Sequence, residues 1–376
     1  MISSFRVQGY RKFTDFRLED LGRINFLVGK NNVGKTTLLE AVYGWASGKN
    51  LSPFFWNGIQ RNQYNQNYTA YHVVDNIVSS VNEKGKIPFS FSLVAVDEGK
   101  EIVYNHKISL GDLFRDFVRD VAMSSVNNSN TPMLQNVGQQ SAPSNMFPAN
   151  NVPIAQWEVN KDDEPTQIFL LSWPNLFIEN IAPQKLAIYE DISSHRNMDE
   201  NRKIYTYLKR QNLIKKFTEE MQIEFPEIND FDILPYQNNG LAPVSVQMTN
   251  GEYFPLHTFG DGFRRMFQII GSLIFYHDNI MCIDEIDATV HPSAQKELSR
   301  CLIKYARKYN VQLFVTTHNL EFVDNFLYSW REDESLSKID DIRIITMKDV
   351  NGEVKSRAMI GSKALGARED FNLELR

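Results

Sequence analysis

Residues 29–36 read Gly-Lys-Asn-Asn-Val-Gly-Lys-Thr, a phosphate-binding pattern of the form GxxxxGKT. What flanks this run narrows the fold more than the run itself. Ile24 to Val28 is a short apolar stretch that predicts a buried strand. Thr37 to Trp45 predicts a helix, with Leu38, Leu39, Val42 and Trp45 on one face. A strand that turns through glycines into a helix aims its backbone N–H groups and the helix dipole at one point, where phosphate binds. Gly29 and Gly34 let the backbone curl, and Asn31, Asn32 and Thr37 complete the cradle. Lys35 would set its charge between the β- and γ-phosphates, and Thr36 would offer a hydroxyl to Mg²⁺.

Far along the chain, Ile280 to Ile283 is an apolar run ending in Asp284 and Glu285. In a parallel sheet beside the loop strand, Asp284 would lie next to the metal and Glu285 would polarise the attacking water. Val311 to Val315 predicts another buried strand, running into Thr316-Thr317-His318-Asn319. His318 would then meet the γ-phosphate or the lytic water at the strand's carboxyl end.

The Asp-Glu pair, the turn Ile286 to His291 and the Thr-Thr-His-Asn strand end resemble ABC-type ATPases. The closer likeness is to the non-transporter branch of overcoming-lysogenization-defect (OLD), RecF-type and SMC-type proteins. Phe5 to Phe13, a basic and aromatic opening ahead of the phosphate loop, is similar to theirs. The strong motifs cover about residues 1–48 and 254–325. The resemblance implies an α/β fold: a P-loop NTPase, ABC-type ATPase head with an antiparallel β insertion and a helical lobe. It also implies ATP and Mg²⁺ as ligands, and nucleotide sites completed by a second copy of the chain. The segment Thr258 to Arg265 looks like a degenerate form of the family's signature, with Gly260 where a serine is usual. Gly260, Asp261, Gly262 and Arg264 would close over the partner's nucleotide, with Arg264 or Arg265 as a charge donor in trans. Asp287 would face the partner subunit, and Pro292 would start the next helix.

On this reading residues 1–190 form the first part of the ATPase head, 191–262 a helical lobe ending in the signature, and 263–376 the remainder. Residues 88–96 and 102–108 predict a hairpin turning at Asp97 to Lys100, and 167–173 another strand. Residues 121–157 lack any Asp, Glu, Lys or Arg and are expected to be a polar, mobile insertion, or one that orders against a partner. Residues 197–222 predict a helix carrying Arg202, Lys203, Lys209, Arg210, Lys215 and Lys216. A solvated face explains these cations as well as a DNA contact does. His195 has no metal-ligand set nearby and reads as structural. Several glutamines between 60 and 66 compete for the family's glutamine-loop role. The tail predicts a terminal hairpin of Ile342 to Met347 and Val354 to Met359. That leaves no room for the metal-binding nuclease domain of full-length OLD proteins.

Composition limits the partners. Lys plus Arg total 40 against 46 Asp plus Glu, a net charge of −6, so the chain is not a generally basic nucleic-acid binder. Two cysteines allow no disulfide framework or zinc cluster, which points to a reducing cytoplasm. No run approaches the roughly 20 apolar residues that span a bilayer, and no signal peptide is expected. The expected function is an ATPase that forms a dimer or higher homo-oligomer and controls a separate effector, a nuclease or toxin, in anti-phage defence. A RecF-like DNA repair ATPase is the competing expectation. A transporter subunit fits worst, because the signature is non-standard and the insertion unsuited to docking on membrane helices.

Overall fold

The computed structural model describes residues 1–51, 53–54, 89–110, 152–162, 164–173, 185–234, 242–332 and 339–371. Contacts divide the chain into two units. One holds Met1, Leu18–Leu39 and Leu186–Arg376; the other holds Ile2–Arg17 and Glu40–Lys185. Residues 191–262, expected as a helical lobe, fall in the same unit as the phosphate loop.

The first unit is built on a six-stranded sheet. In chain order its strands are β3 (Ile24–Gly29), β8 (Ala187–Glu190), β12 (Ile280–Ile283), β13 (Gln312–Thr316), β14 (Ile342–Val350) and β15 (Glu353–Ile360). Their spatial order is β15-β14-β3-β13-β12-β8. All but the β14–β15 hairpin pair in parallel. Every residue of β3, β12 and β13 is buried. Parallel strands covered on both faces need such unbroken runs rather than alternation. Of the two amides among them, Asn25 and Gln312, Asn25 is fully satisfied. It donates to the carbonyls of Gly22 (2.9 Å) and Leu313 (3.1 Å) and accepts from the Gly22 N–H (2.9 Å). It ties the turn before β3 to the neighbouring strand.

The helices of this unit are α2 (Met198–Arg210), α3 (Ile214–Glu224), α4 (Asp261–Phe275), α5 (Pro292–Lys308), α6 (Leu320–Glu332) and α7 (Gly361–Phe371). The single helix expected over 197–222 is therefore two. The chain turns at Asn212, whose φ of 55° is one that Asn tolerates better than most residues. The small antiparallel sheet β9 (Ile228–Ile233), β10 (Val244–Met248) and β11 (Tyr253–Pro255) carries Phe231, whose ring lies 5.2 Å from that of Phe267 on α4. Phe217 of α3 meets Phe267 edge-on at 5.2 Å. These contacts bury the apolar face of α4 (Phe263, Met266, Phe267, Ile270, Ile274) that its spacing predicts.

The second unit carries a six-stranded sheet, order β2-β1-β4-β5-β6-β7. Its strands are β1 (Ile2–Tyr10), β2 (Phe13–Leu18), β4 (Phe89–Asp97), β5 (Lys100–Leu110), β6 (Val152–Lys161) and β7 (Gln167–Trp173). The β4–β5 hairpin turns through Glu98 (φ 52°) and Gly99 (φ 81°), both left-handed as a tight two-residue turn requires. Its core includes Phe91, Trp157 and His106. Burial pushes the His106 imidazole down to about 3, so the ring is neutral, stacked on Phe91 at 4.4 Å and accepting from the Trp157 indole at 3.2 Å. Residues 152–157, expected in the mobile insertion, belong to β6; residues 121–151 and the glutamines between 60 and 66 lie outside the described residues. Helix α1 (Lys35–Ser47) contributes its first turn to one unit and the rest to the other.

Helix α4 sits against α2 through a glycine. A Cβ on Gly271 would lie 2.4 Å from Cγ2 of Ile204. Gly271→Ala should therefore cost about 1–3 kcal/mol by overpacking. Adding Ile204→Ala should recover part of that loss, leaving the double variant more stable than the summed single effects, as read by thermal melts. Strict additivity would show that the two helices do not meet there.

Candidate nucleotide site

The parallel register decides which side chains can meet. Ile283 pairs with Val315 and with Glu190, Thr316 with Leu27, and Met347 with Gly29. The carboxyl ends of β3, β13, β12 and β8 therefore form one edge, and the residues just beyond each strand converge there. Such an edge is where open α/β sheets bind ligands.

The loop after β3 is held in conformations that favour glycine: Gly29 has φ 151°, Gly34 φ 107° and Asn32 φ 61°. A Cβ on Gly29 would stand 2.4 Å from the Met347 carbonyl, so no larger residue fits the register with β14. Asn31 and Asn32 are exposed at the loop tip, and Thr37 is buried in the first turn of α1. The Lys35 side chain is 5% exposed. Its ammonium donates to the carbonyls of Gly29 (2.7 Å) and Lys30 (2.9 Å) and lies 3.3 Å from Nδ1 of His318. Burial lowers its pKa, opposed by the charges of Asp284 and Glu285. Because an ammonium only donates, Nδ1 of His318 accepts and its hydrogen sits on Nε2, 3.7 Å from Oε1 of Glu285.

Asp284 is held at both carboxylate oxygens. Oδ1 accepts from Thr36 Oγ1 (3.1 Å) and Thr316 Oγ1 (2.6 Å), and Oδ2 from the Tyr189 hydroxyl (3.3 Å). Thr36 and Asp284 thus present hard oxygen donors side by side, the chemistry that Mg²⁺ takes. Glu285 follows with φ 48°, a conformation that costs a non-glycine residue roughly 1–3 kcal/mol. Its N–H donates to Thr316 Oγ1 at 2.8 Å. Asp287 accepts from Thr317 Oγ1 at 2.6 Å, so one of its carboxylate oxygens is engaged within the chain. His291 caps α5 by accepting from the Ser293 N–H, with Pro292 in the first turn as its position predicts.

The segment read as a signature places Gly260 at the N-cap of α4 with no side-chain cap, so the first N–H groups of the helix lack that partner. A Cβ there would meet nothing, whereas one on Gly262 would lie 2.8 Å from the Thr289 carbonyl. Asp261 is gripped within its own chain by Arg196 (2.9 Å), His195 (3.2 Å) and Arg264. The Arg196 hydrogen bond leads the causes that pull its carboxyl down to about 2. The expectation for the arginine doublet needs correction. Arg265 is 2% exposed and donates to the carbonyls of Asp191, Asp284 and Glu285, so it is no donor to another subunit. Arg264, also offered for that role, is paired with Asp261 in this chain.

Sequence reasoning missed Tyr189, Glu190 and the hydroxyl of Thr316 as a bridge. β8 is four residues long, and nothing in it announces a strand beside the site. A second carboxylate cluster, Glu220 and Glu297 beside Cys301, offers three ligand atoms close together. Arg300 lies 2.5 Å from Glu220 and 2.6 Å from Glu297, and Lys304 also pairs with Glu220, so this is an ion-pair network.

Glu190 is buried, and that burial pushes its carboxyl up to about 7, against hydrogen bonds from Gln268 (3.0 Å) and Ser272 (2.8 Å). The folded state holds the proton more tightly than the unfolded chain. Its contribution to stability is therefore complete below the ordinary Glu range and is lost as pH rises towards 7. Glu190→Gln should flatten the fall in stability between about pH 4.5 and 7 and gain roughly 1–3 kcal/mol at pH 8. Denaturant melts across pH check this; an unchanged slope would show that Glu190 is ionised throughout.

With the geometry in place, comparison with known proteins assigns the family. A family model described as "AAA domain, putative AbiEii toxin, Type IV TA system" matches residues 24–324. The chain is 22% identical over 337 residues to an ATP/GTP phosphatase of Helicobacter pylori, covering 86% of this chain and 87% of that protein. It is 29% identical over 117 residues to an uncharacterised protein of Methanocaldococcus jannaschii, covering 31% of this chain and 98% of that protein. Among solved structures, an SMC head bound to the C-terminal winged-helix domain of ScpA matches with a TM-score of 0.53 at 12% identity, over 97% of this chain and 99% of that one. The fold is that of an SMC-head, ABC-type P-loop ATPase. The chain belongs to this AAA domain family and is an ATPase.

Proposed function

We propose that this ATPase hydrolyses its nucleotide at the edge formed by β3, β12 and β13, assembles through composite sites, and controls a separate toxin or nuclease in anti-phage defence. One observation carries the catalytic part. The Lys35 ammonium, the Thr36 hydroxyl, the Asp284 and Glu285 carboxylates and the His318 imidazole gather at one edge, with His318 between Lys35 (3.3 Å) and Glu285 (3.7 Å) and Thr36 on Asp284 (3.1 Å). Lys35 exchanges its loop carbonyls for the β- and γ-phosphates of the substrate. Thr36 and Asp284 would hold Mg²⁺, which would supply neutralisation of the charge building on the phosphoryl oxygens. Glu285 orients water for in-line attack and takes its proton, and His318 steadies Glu285 through Nε2–H and meets the γ-phosphate. The uncapped start of α4, with Gly260, Gly262 and an Arg264 that exchanges Asp261 for phosphate, closes over the nucleotide of a second copy, and Asp287 faces that copy.

The defence setting is supported by the family's description, which names a toxin and a type IV system. A second reading, DNA repair or recombination, is supported by the SMC-head fold and by exposed Lys215 and Lys216 at the start of α3. Against it, Arg202 and Lys203 are paired with Asp199 and Glu200. Among the described residues no helix is long and apolar enough to cross a membrane.

Lys35→Ala should abolish Mg²⁺-dependent nucleotide binding. Glu285→Gln should keep binding, slow hydrolysis about 100-fold, and accumulate an ATP-bound assembly visible by light scattering. Hydrolysis by Glu285→Gln at the wild-type rate would remove the base assignment. A monomer at saturating ATP would remove the composite site. Stimulation of hydrolysis by DNA, steeply lost with salt, would shift the reading to repair.

A further inference from the structure

We propose that Arg265 is a positioning residue for hydrolysis: from inside α4 it fixes the peptide that aims Glu285. This rests on the base role proposed for Glu285. The buried guanidinium donates through Nη2 to two consecutive carbonyls, Asp284 (2.8 Å) and Glu285 (2.7 Å), and through Nη1 to Asp191 (3.0 Å). The carbonyls belong to the residues just beyond β12 and β8, so one side chain ties two strand ends together. A planar fork suits this task; an ammonium is a point charge that cannot copy its geometry.

The peptide that Arg265 grips is also the unusual one. Glu285 stands at φ 48° although it carries a side chain. Such a conformation persists only where the surroundings over-determine it. Here both polar groups of its main chain are committed: the N–H to Thr316 Oγ1 at 2.8 Å, the carbonyl to Arg265 at 2.7 Å and to the turn N–H of Ala288 at 3.0 Å. The Glu285 side chain is itself about half exposed, with Nε2 of His318 3.7 Å away. Its direction is therefore set chiefly from the backbone. Without the guanidinium the Asp284 carbonyl loses this donor and the Glu285 carbonyl keeps only its turn bond from Ala288, so the peptide relaxes and the carboxylate swings away from the edge. A misplacement of about 1 Å at a reacting group can cost about 100-fold in rate. The next turns of α4 hold the same strand end, because Gln268 and Ser272 donate to the buried Glu190 carboxylate. The helix thus stays in place when only Arg265 is changed.

The test uses the full chain with Mg²⁺ and ATP. Arg265→Met, Arg265→Lys, Glu285→Gln and the double variant Arg265→Met/Glu285→Gln are compared by steady-state hydrolysis, thermal melts and binding of a fluorescent ATP analogue. Arg265→Met should lower kcat about 100-fold while KM and analogue binding stay near wild type, and Arg265→Lys should recover part of the loss. The double variant should be no slower than Glu285→Gln alone, since both changes remove one act. A wild-type kcat in Arg265→Met, a loss that tracks analogue binding, or a multiplicative loss in the double variant would overturn the role of Arg265. Glu285→Gln turning over at the wild-type rate would instead remove the base assignment, and this inference with it. If Arg265→Met does not fold, Arg265→Lys decides: reduced kcat with a wild-type melt supports the proposal, and unchanged kcat refutes it.

Discussion

The parallel register of β3, β13 and β12 is the constraint from which the site follows. Side chains at this edge come from residues 29–36, 284–287 and 316–318, with Thr36 lying 248 positions before Asp284 and Thr316 a further 32 beyond it. No local interaction could bring them together. Pairing Thr316 with Leu27 and Ile283 with Val315 does, because strands running the same way end on the same side. A shift of one residue in either pairing would turn the buried runs over and carry Asp284 away from Thr36. The complete burial of all three strands makes such a shift costly, so the apolar core fixes the geometry of the polar edge.

That edge is organised by hydroxyls. Thr316 occupies the centre: it donates to Asp284, and its oxygen accepts from the Glu285 N–H. One side chain therefore fixes the carboxylate read as a metal ligand and the backbone of the residue read as the base. Thr317 does the same for Asp287 and the Asn319 N–H. Hydroxyls can donate and accept at once, which a carboxylate or an ammonium cannot. Two adjacent threonines at a strand end thereby organise the turn that follows the neighbouring strand, before any nucleotide enters.

Much of this architecture was legible in the sequence, and the exceptions have physical reasons. The phosphate loop, the Asp-Glu strand and the histidine strand were readable because buried parallel strands leave unbroken apolar runs and a loop around phosphate needs glycine. The two hairpins were readable from turn residues, Glu98-Gly99 and Asn351-Gly352, all at positive φ. β8 was hidden because three half-buried residues and one buried one have no period to detect. The break at Asn212 was hidden because apolar spacing continues on both sides of it while the backbone turns. Tyr189 was hidden because a tyrosine near a strand end carries no mark of the carboxylate it will meet.

The arginine doublet shows most sharply what a sequence withholds. Arg264 and Arg265 are chemically identical neighbours, and either satisfied the expectation of a charge offered to another subunit. Successive helix residues point about 100° apart, so one of the pair faces outward and the other inward. The inward position would be prohibitive for a lone charge. It is tolerable here because three carbonyls where β8 and β12 end accept from the guanidinium, two of them beside turn N–H groups of Ser194 and Ala288. The cost of an interior cation is thus offset by the spare lone pairs of strand-end carbonyls. The outward arginine keeps its charge at the start of the helix, where Asp261 meets it. Which of two equal residues reaches the strand ends and which stays paired at the helix start is decided by the packing of α4, and that packing is a property of the whole fold.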